Sequence, residues 1–273
     1  MVKILVISDL HLGNDASKAP ALLDGVARIA RNYDRIIFNG DTLDVYARPE
    51  HVAAGTKAAR FLEAVHATCR SRSGPPELIT GNHDPLISDT HYIYIKEHRA
   101  LIFHGDCIAD STHPSDPHEN ILANHVGNHW KKIGGRPSQF VELATTYRRL
   151  QGEHLGQFPR KEHRSSLSYL LSLCYPPQKP FHVLKYVLTS PYLAAELAGT
   201  HDAPVDHVVI GHTHRAGNWK TKDRSVLNTG SFMPMSWPSA VVMDEQGVQR
   251  IPLAKLLRTH ITTVHMAVGE PAN

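Results

Sequence analysis

Long apolar runs are missing from this chain. No stretch approaches the roughly 18 uninterrupted apolar residues that a membrane-spanning helix needs, which sets an integral helical membrane class aside. Cysteine is scarce and odd in number, since Cys69, Cys107 and Cys174 lie far apart and form no Cys-x-x-Cys pair. That excludes a disulfide framework and a thiolate zinc site as the organising device, and it suits a reducing, cytoplasmic setting. A surplus of one charge is missing too. A net charge of +3 over 273 residues is too small to argue for nucleic acid, and no nucleic-acid partner is expected. The opening apolar run stops at Asp9 with no small-residue cleavage site after it, so it is not expected to be a signal peptide. Internal repeats are absent.

Histidine is abundant, with twenty residues, and it is both the commonest metal ligand and a proton carrier near neutral pH. The stretch "VKILVISDLHLGN" (2–14) is a buried-strand pattern that runs into Asp9 and His11. The same grammar recurs in "RIIFNGD" (35–41), "ELITGNHD" (77–84), "ALIFHGD" (100–106) and "HVVIGHTH" (207–214). Runs apolar on both faces read as interior strands of a covered sheet. Amphipathic stretches at 19–32 and 52–70 lie between the first three, and strand–helix–strand alternation implies parallel pairing with helices on the sheet. Beyond Ile210, "AVVMDEQGVQRIPL" has a turn at its centre and reads as a hairpin, which argues for a second, mainly antiparallel set of strands. The expected fold class is therefore α/β, with two sheets packed face to face and helices outside.

Residues 107–204 break the alternation. Helical patterns near 119–132, 138–152, 165–173 and 181–198 make an insert, expected to cap the polar strand ends, with Pro191 breaking or kinking its last helix. Between residues 130 and 165 there are eight Lys or Arg against three Glu. Arg148 and Arg149 in this stretch are of the type that grips a phosphate bidentately, and an exposed helix face is the alternative. The expected division is a main domain at 1–254 carrying this insert, then a poorly ordered tail at 255–273.

In open α/β folds ligands bind beyond the carboxyl ends of the strands. Five strand ends here deliver Asp9, His11, Asp41, Asn82, His83, His104, His212 and His214. A carboxylate, imidazole and amide set without thiolates suits Mn, Fe, Zn or similar ions. Eight such residues exceed what one ion needs and fit two ions sharing a bridging carboxylate, about 3.5–4 Å apart. In "HGD", Asp106 is read as structural rather than a ligand. Met235 and Trp237 are read as core.

"DLHLG", "GDTLD", "GNHD", "HGD" and "GHTH", in this order from residue 9 to 214, resemble the five motifs of the calcineurin-like metallophosphoesterase superfamily. The resemblance implies a two-sheet β-sandwich flanked by helices. It implies one divalent ion on Asp9, His11, Asp41 and His214 and a second on Asp41, Asn82, His104 and His212, with Asp41 bridging. Mn is the first expectation, with Fe, Zn or Mg as alternatives. His83 then falls outside the ligands and faces the substrate as a catalytic residue, while Asp84 orients His83 or supports the loop, and Asp44, after the "GDTLD" bridging Asp, is given a similar part. The implied reaction is hydrolysis of a phosphodiester or pyrophosphate by metal-activated hydroxide. "GDTLDVYARP" lacks the Asp-Arg-Gly run of the superfamily's protein phosphatases, which disfavours a phosphoprotein. The helical insert resembles the UDP-2,3-diacylglucosamine hydrolase branch, which cleaves a nucleotide-lipid and would place the protein at the inner membrane face. That branch carries Arg where this chain has His83. The alternatives are a general phosphodiesterase or phosphatase on a small nucleotide or phospholipid-like substrate, and a non-catalytic scaffold.

Overall fold

The computed structural model describes residues 2–44, 57–108, 126, 128–133, 137–154 and 179–259. The opening run becomes strand β1 (Ile4–Ile7), buried throughout. Its side chains alternate between two cores. Ile4 and Val6 meet Ile37, Ile102, Val209 and Val241 between the sheets, whereas Leu5 and Ile7 meet Val26, Ile29 and Val65 under the helices. A strand covered on both faces has no wet side, hence the unbroken apolar run.

Two five-stranded mixed sheets result. In the first, β1, β2 (Arg35–Asn39) and β3 (Glu77–Ile79) are parallel. The hairpin β9 (Ser239–Asp244) and β10 (Gly247–Pro252) extends it antiparallel on the free side of β1. In the second, β5 (Ala100–Phe103), β6 (His207–Ile210) and β8 (Ser225–Asn228) are parallel. They are flanked by antiparallel β4 (Tyr92–Ile95) and β7 (Gly217–Lys220). The expected mainly antiparallel second sheet is therefore corrected. The hairpin is real, but it joins the first sheet, and the centre of the second sheet is parallel.

Helices α1 (Ala19–Ala30) and α2 (Lys57–Thr68) cover the first sheet. Within the insert, α3 (Phe140–His154) and α4 (Lys179–Ala198) cover the second. Phe140, Ala144, Ala194, Ala195 and Ala198 pack on Leu101, Phe103, Val208 and Ile210. These helices are thus an outer layer of the sandwich and not only a cap at its rim. The expected helix at 165–173 lies outside the described residues, as do the expected starts near 52 and 119. Pro191 does not break α4. It removes the N–H that would reach the carbonyl of Val187, yet the three alanines on either side of one turn hold the helix to the sheet.

The tail expected from 255 begins with structure. Residues 253–259 are helical, with Leu253 and Leu256 in the first-sheet core and Leu257 packed against it. Gly25 of α1 makes room for this helix, because a Cβ there would come 2.7 Å from a Leu257 methyl. Residues 260–273 lie outside the described residues. Among the described residues no helix is long and apolar enough to cross a membrane.

Candidate metal centre

Every parallel strand except β8 ends in a turn that carries candidate ligands, and the turns lock to one another by backbone bonds. Asp9 N donates to Gly40 O at 3.1 Å and His11 N to Asp41 O at 2.8 Å. Gly211 N donates to His104 O at 2.9 Å, and Phe232 N to Asp9 O at 3.1 Å. Asn39 and His104 tie the two sheets together reciprocally. Asn39 Nδ2 donates to Phe103 O at 3.0 Å, and His104 Nδ1 lies 3.0 Å from Asn39 O. That carbonyl accepts a hydrogen bond from Nδ1–H, so in neutral His104 it is Nε2 that carries the free lone pair.

The side chains form two groups that share one carboxylate. Asp9, His11, Asp41 and His214 converge in the first. His11 Nε2 is 3.1 Å from His214 Nε2 and 3.7 Å from Asp41 Oδ2, and His214 Nε2 is 3.4 Å from Asp9 Oδ1. Asp41, His104 and His212 converge in the second. Here His104 Nε2 is 3.3 Å from the same Asp41 Oδ2. Asn82 Oδ1 completes this group, 3.1 Å from His104 Nε2 and 2.9 Å from His212 Nδ1. All seven expected ligands are thus brought together.

The backbone is strained to do this. Seven described non-glycine residues have positive φ, and five of them are Asp9, His11, Asp41, His212 and His214, at 48° to 64°. Left-handed backbone costs a side-chain-bearing residue about 1–3 kcal/mol and survives only where its surroundings over-determine it. Glycines supply the room. A Cβ on Gly81 would overlap the backbone N and carboxylate of Asp41, and one on Gly40 would overlap the His104 ring.

Buried carboxylates dominate the electrostatics of the pocket. Burial works to raise Asp41, but the imidazoles of His104, His83 and His11 outweigh it and hold the carboxyl well below its usual range. Burial likewise works against protonated His104, and Asp41 overcomes it, lifting His104 to about 10. His212, desolvated beside His104, falls to about 4. Carboxylates this deep need cations, and converging imidazole nitrogens, carboxylate oxygens and one amide oxygen are the donor set of borderline divalent ions. The residues present fit two such ions.

His83 stands beside the ligands. Its backbone N donates to Asp41 Oδ1 at 2.8 Å, and its Nδ1 lies 2.9 Å from Asp44 Oδ1. Asp44 also accepts from Asn14 Nδ2 at 2.7 Å. Of the two roles expected of Asp84, its contacts are those of loop support. Asp84 accepts from the backbone N of Gly81 at 2.8 Å and from Asp41 and Leu43 at 3.0 Å. It shapes the loop, and Asp44 is what orients His83. The contact arises because the residues after Asp41 fold back under the "GNHD" loop, and no spacing in the sequence announces that. Ser8 is a residue that sequence reasoning missed; its hydroxyl bonds both Asp9 and Thr229.

Three other expectations change. Arg148 is not free to grip a phosphate, because it is buried and pairs with Asp106 at 2.8 Å. Arg149 pairs with Glu153 one turn along its own helix. Met235 and Trp237 are not core, being 67% and 79% exposed, while Phe232 and Met233 take the buried places. From the insert, Tyr186 reaches the site instead, its ring edge-on to His212 with centroids 5.8 Å apart.

No curated protein matches the chain in sequence. Among solved structures, the Escherichia coli phosphoesterase Yfce is 14% identical, with 93% of this chain and 94% of that one covered at a TM-score of 0.40. Vacuolar Protein Sorting 29 of Cryptosporidium parvum is 15% identical, with 91% and 89% covered and a TM-score of 0.40. A predicted phosphoesterase of Streptococcus pneumoniae TIGR4 is 13% identical, with 93% and 90% covered and a TM-score of 0.32. The model of the calcineurin-like phosphoesterase family matches residues 2–216, which takes in all five strand ends that carry candidate ligands. The chain therefore belongs to the calcineurin-like phosphoesterase family and is a metal-dependent phosphoester hydrolase.

Proposed function

We propose that this protein hydrolyses a phosphodiester or pyrophosphate bond with two divalent cations, Mn first among them, bridged by Asp41. What carries the reading is the position of Asp41 Oδ2, within 3.7 Å of His11 Nε2 on one side and 3.3 Å of His104 Nε2 on the other. Asp9, His11 and His214 would hold the first ion with Asp41, and Asn82, His104 and His212 the second. When bound, such a pair acidifies water and neutralises charge on phosphoryl oxygens.

The remaining work falls to the chain's own side chains. As the imidazolium, His83 donates Nδ1–H to Asp44, which fixes the ring and directs Nε2–H toward Asp41, 4.0 Å from its Oδ2. From that place His83 donates a hydrogen bond to a non-bridging phosphoryl oxygen or a proton to the leaving oxygen. Asn39 holds His104 in the tautomer that presents Nε2. Ser8 and the backbone N of His212 hold Asp9.

The narrower reading, a UDP-2,3-diacylglucosamine pyrophosphatase, rests on the plan of the chain and loses the support of Arg148. A general diesterase on a nucleotide or phospholipid-like substrate stands beside it. Chelator-stripped protein reloaded with Mn should cleave an aryl phosphodiester, and Asp41→Ala should abolish turnover and hold well under two ions per chain. A full metal complement in that variant would remove Asp41 from the bridging position. A panel of nucleotide-lipids, cyclic nucleotides and monoesters then ranks the substrates.

A further inference from the structure

The guanidinium of Arg148 ties α3 to the strand ends of both sheets. One Nη2 donates to Thr80 O at 3.1 Å and to Asp106 Oδ1 at 2.8 Å, while Nη1 donates to Gln151 Oε1 at 2.6 Å. Thr80 directly follows β3 of the first sheet, two residues before Asn82. Asp106 follows β5 of the second sheet, two residues after His104. The charge is 5% exposed and Asp106 is 2% exposed, so neither has water as a substitute partner. The other oxygen of Asp106 is also buried, without a hydrogen bond among the described residues. A buried ion pair adds little net stability over a well-packed apolar replacement, so what distinguishes this one is the two strand ends it joins. The geometry it specifies is the approach of Asn82 Oδ1 to His104 Nε2, at 3.1 Å. Nothing comparable from α3 reaches Asp9, His11 or His214 among the described bonds.

We propose that Arg148 is a positioning residue for the Asn82, His104 and His212 half of the centre, clamping the two strand ends so that this half takes its ion. The inference rests on the two-ion reading above. It also makes the helical insert a part of the metal centre rather than an accessory to substrate choice.

The test is stepwise Mn titration of chelator-stripped protein, followed by calorimetry and by the electron paramagnetic resonance signal of a coupled Mn pair. Wild type should take two ions and give the coupled signal. Arg148→Met should keep the first ion with unchanged affinity, lose about 10–100-fold on the second, as for other partners that orient ligands, and lose the coupled signal at subsaturating Mn. Arg148→Lys, which keeps the charge but not the fork, should recover part of the loss. Leu143→Ala loosens the packing of α3 without touching Thr80 or Asp106, and should lower the melting temperature while keeping both affinities. Because Arg148→Met strands a buried carboxylate, Asp106→Asn combined with Arg148→Met is the second arm, and the same selective loss is expected there. Two full-affinity ions in the Arg148 variants, equal loss of both ions, or the same selective loss in Leu143→Ala would overturn the clamp. A wild type that holds fewer than two ions would instead overturn the two-ion reading, and the clamp with it.

Discussion

At the scale of single residues, the division of labour between Asp44 and His83 is the most exposed part of the mechanism. His83→Ala should retain both metals and lose about 10²–10⁴ in kcat, the usual worth of acid–base help. Asp44→Asn should cost less, about 10–100-fold, because the ring stays but its orientation weakens. If Asp44 acts only through His83, the double variant should be no slower than His83→Ala, as groups that work as a unit are not additive. Metal analysis of each variant checks the premise; a loss of metal from His83→Ala would make His83 a ligand, as its place with His11 and Asp44 also permits. The convergence of the seven candidate ligands was legible in the sequence, because five buried strands in order each end in a carboxylate, imidazole or amide of metal-binding type. Asp44 and Asp84 were not separable. Both are acidic residues shortly after a motif, and only the path of the two loops decides which one meets an imidazole.

Elements divide in a similar way. Strands buried on both faces declare themselves, whereas β7 does not, since its four residues Gly217–Lys220 contain a single large apolar side chain and exist as a strand because β8 offers an open edge. The hairpin β9–β10 was legible from its turn, where Asp244 Oδ1 accepts from Gln246 N at 2.9 Å and Gly247 has φ +106°. Its sheet was not, because a local pattern does not name the neighbour. The helix at 253–259 escaped notice since one short apolar stripe before a polar terminus looks like fraying. Leu256 gives its measure. Leu256→Ala should destabilise the fold by about 2–5 kcal/mol, read by urea denaturation, whereas Trp237→Ala, on an exposed side chain, should stay within about 0.5 kcal/mol. Equal small effects would return residues 253–259 to the status of a tail.

For the molecule as a whole, the insert is inseparable from the sandwich, because Leu101, Phe103, Val208 and Ile210 lie beneath its helices. The sequence pattern marks where the alternation stops, and it cannot mark that the interruption supplies the missing layer. The reciprocal bonds of Asn39 and His104 carry this further. They sit where the two sheets meet, so the rim of the central core and the wall of the metal centre are the same atoms. Many enzymes have loose active sites that fail long before the scaffold does. In this one, no hinge among the described residues separates its chemistry from its core, and activity should survive in rising urea until the sheets part. Enzymatic activity of the metal-loaded protein and its near-ultraviolet circular dichroism should therefore fall along one curve. Inactivation at a clearly lower urea concentration would show that the centre opens independently, and that cooperativity stops short of the catalytic rim.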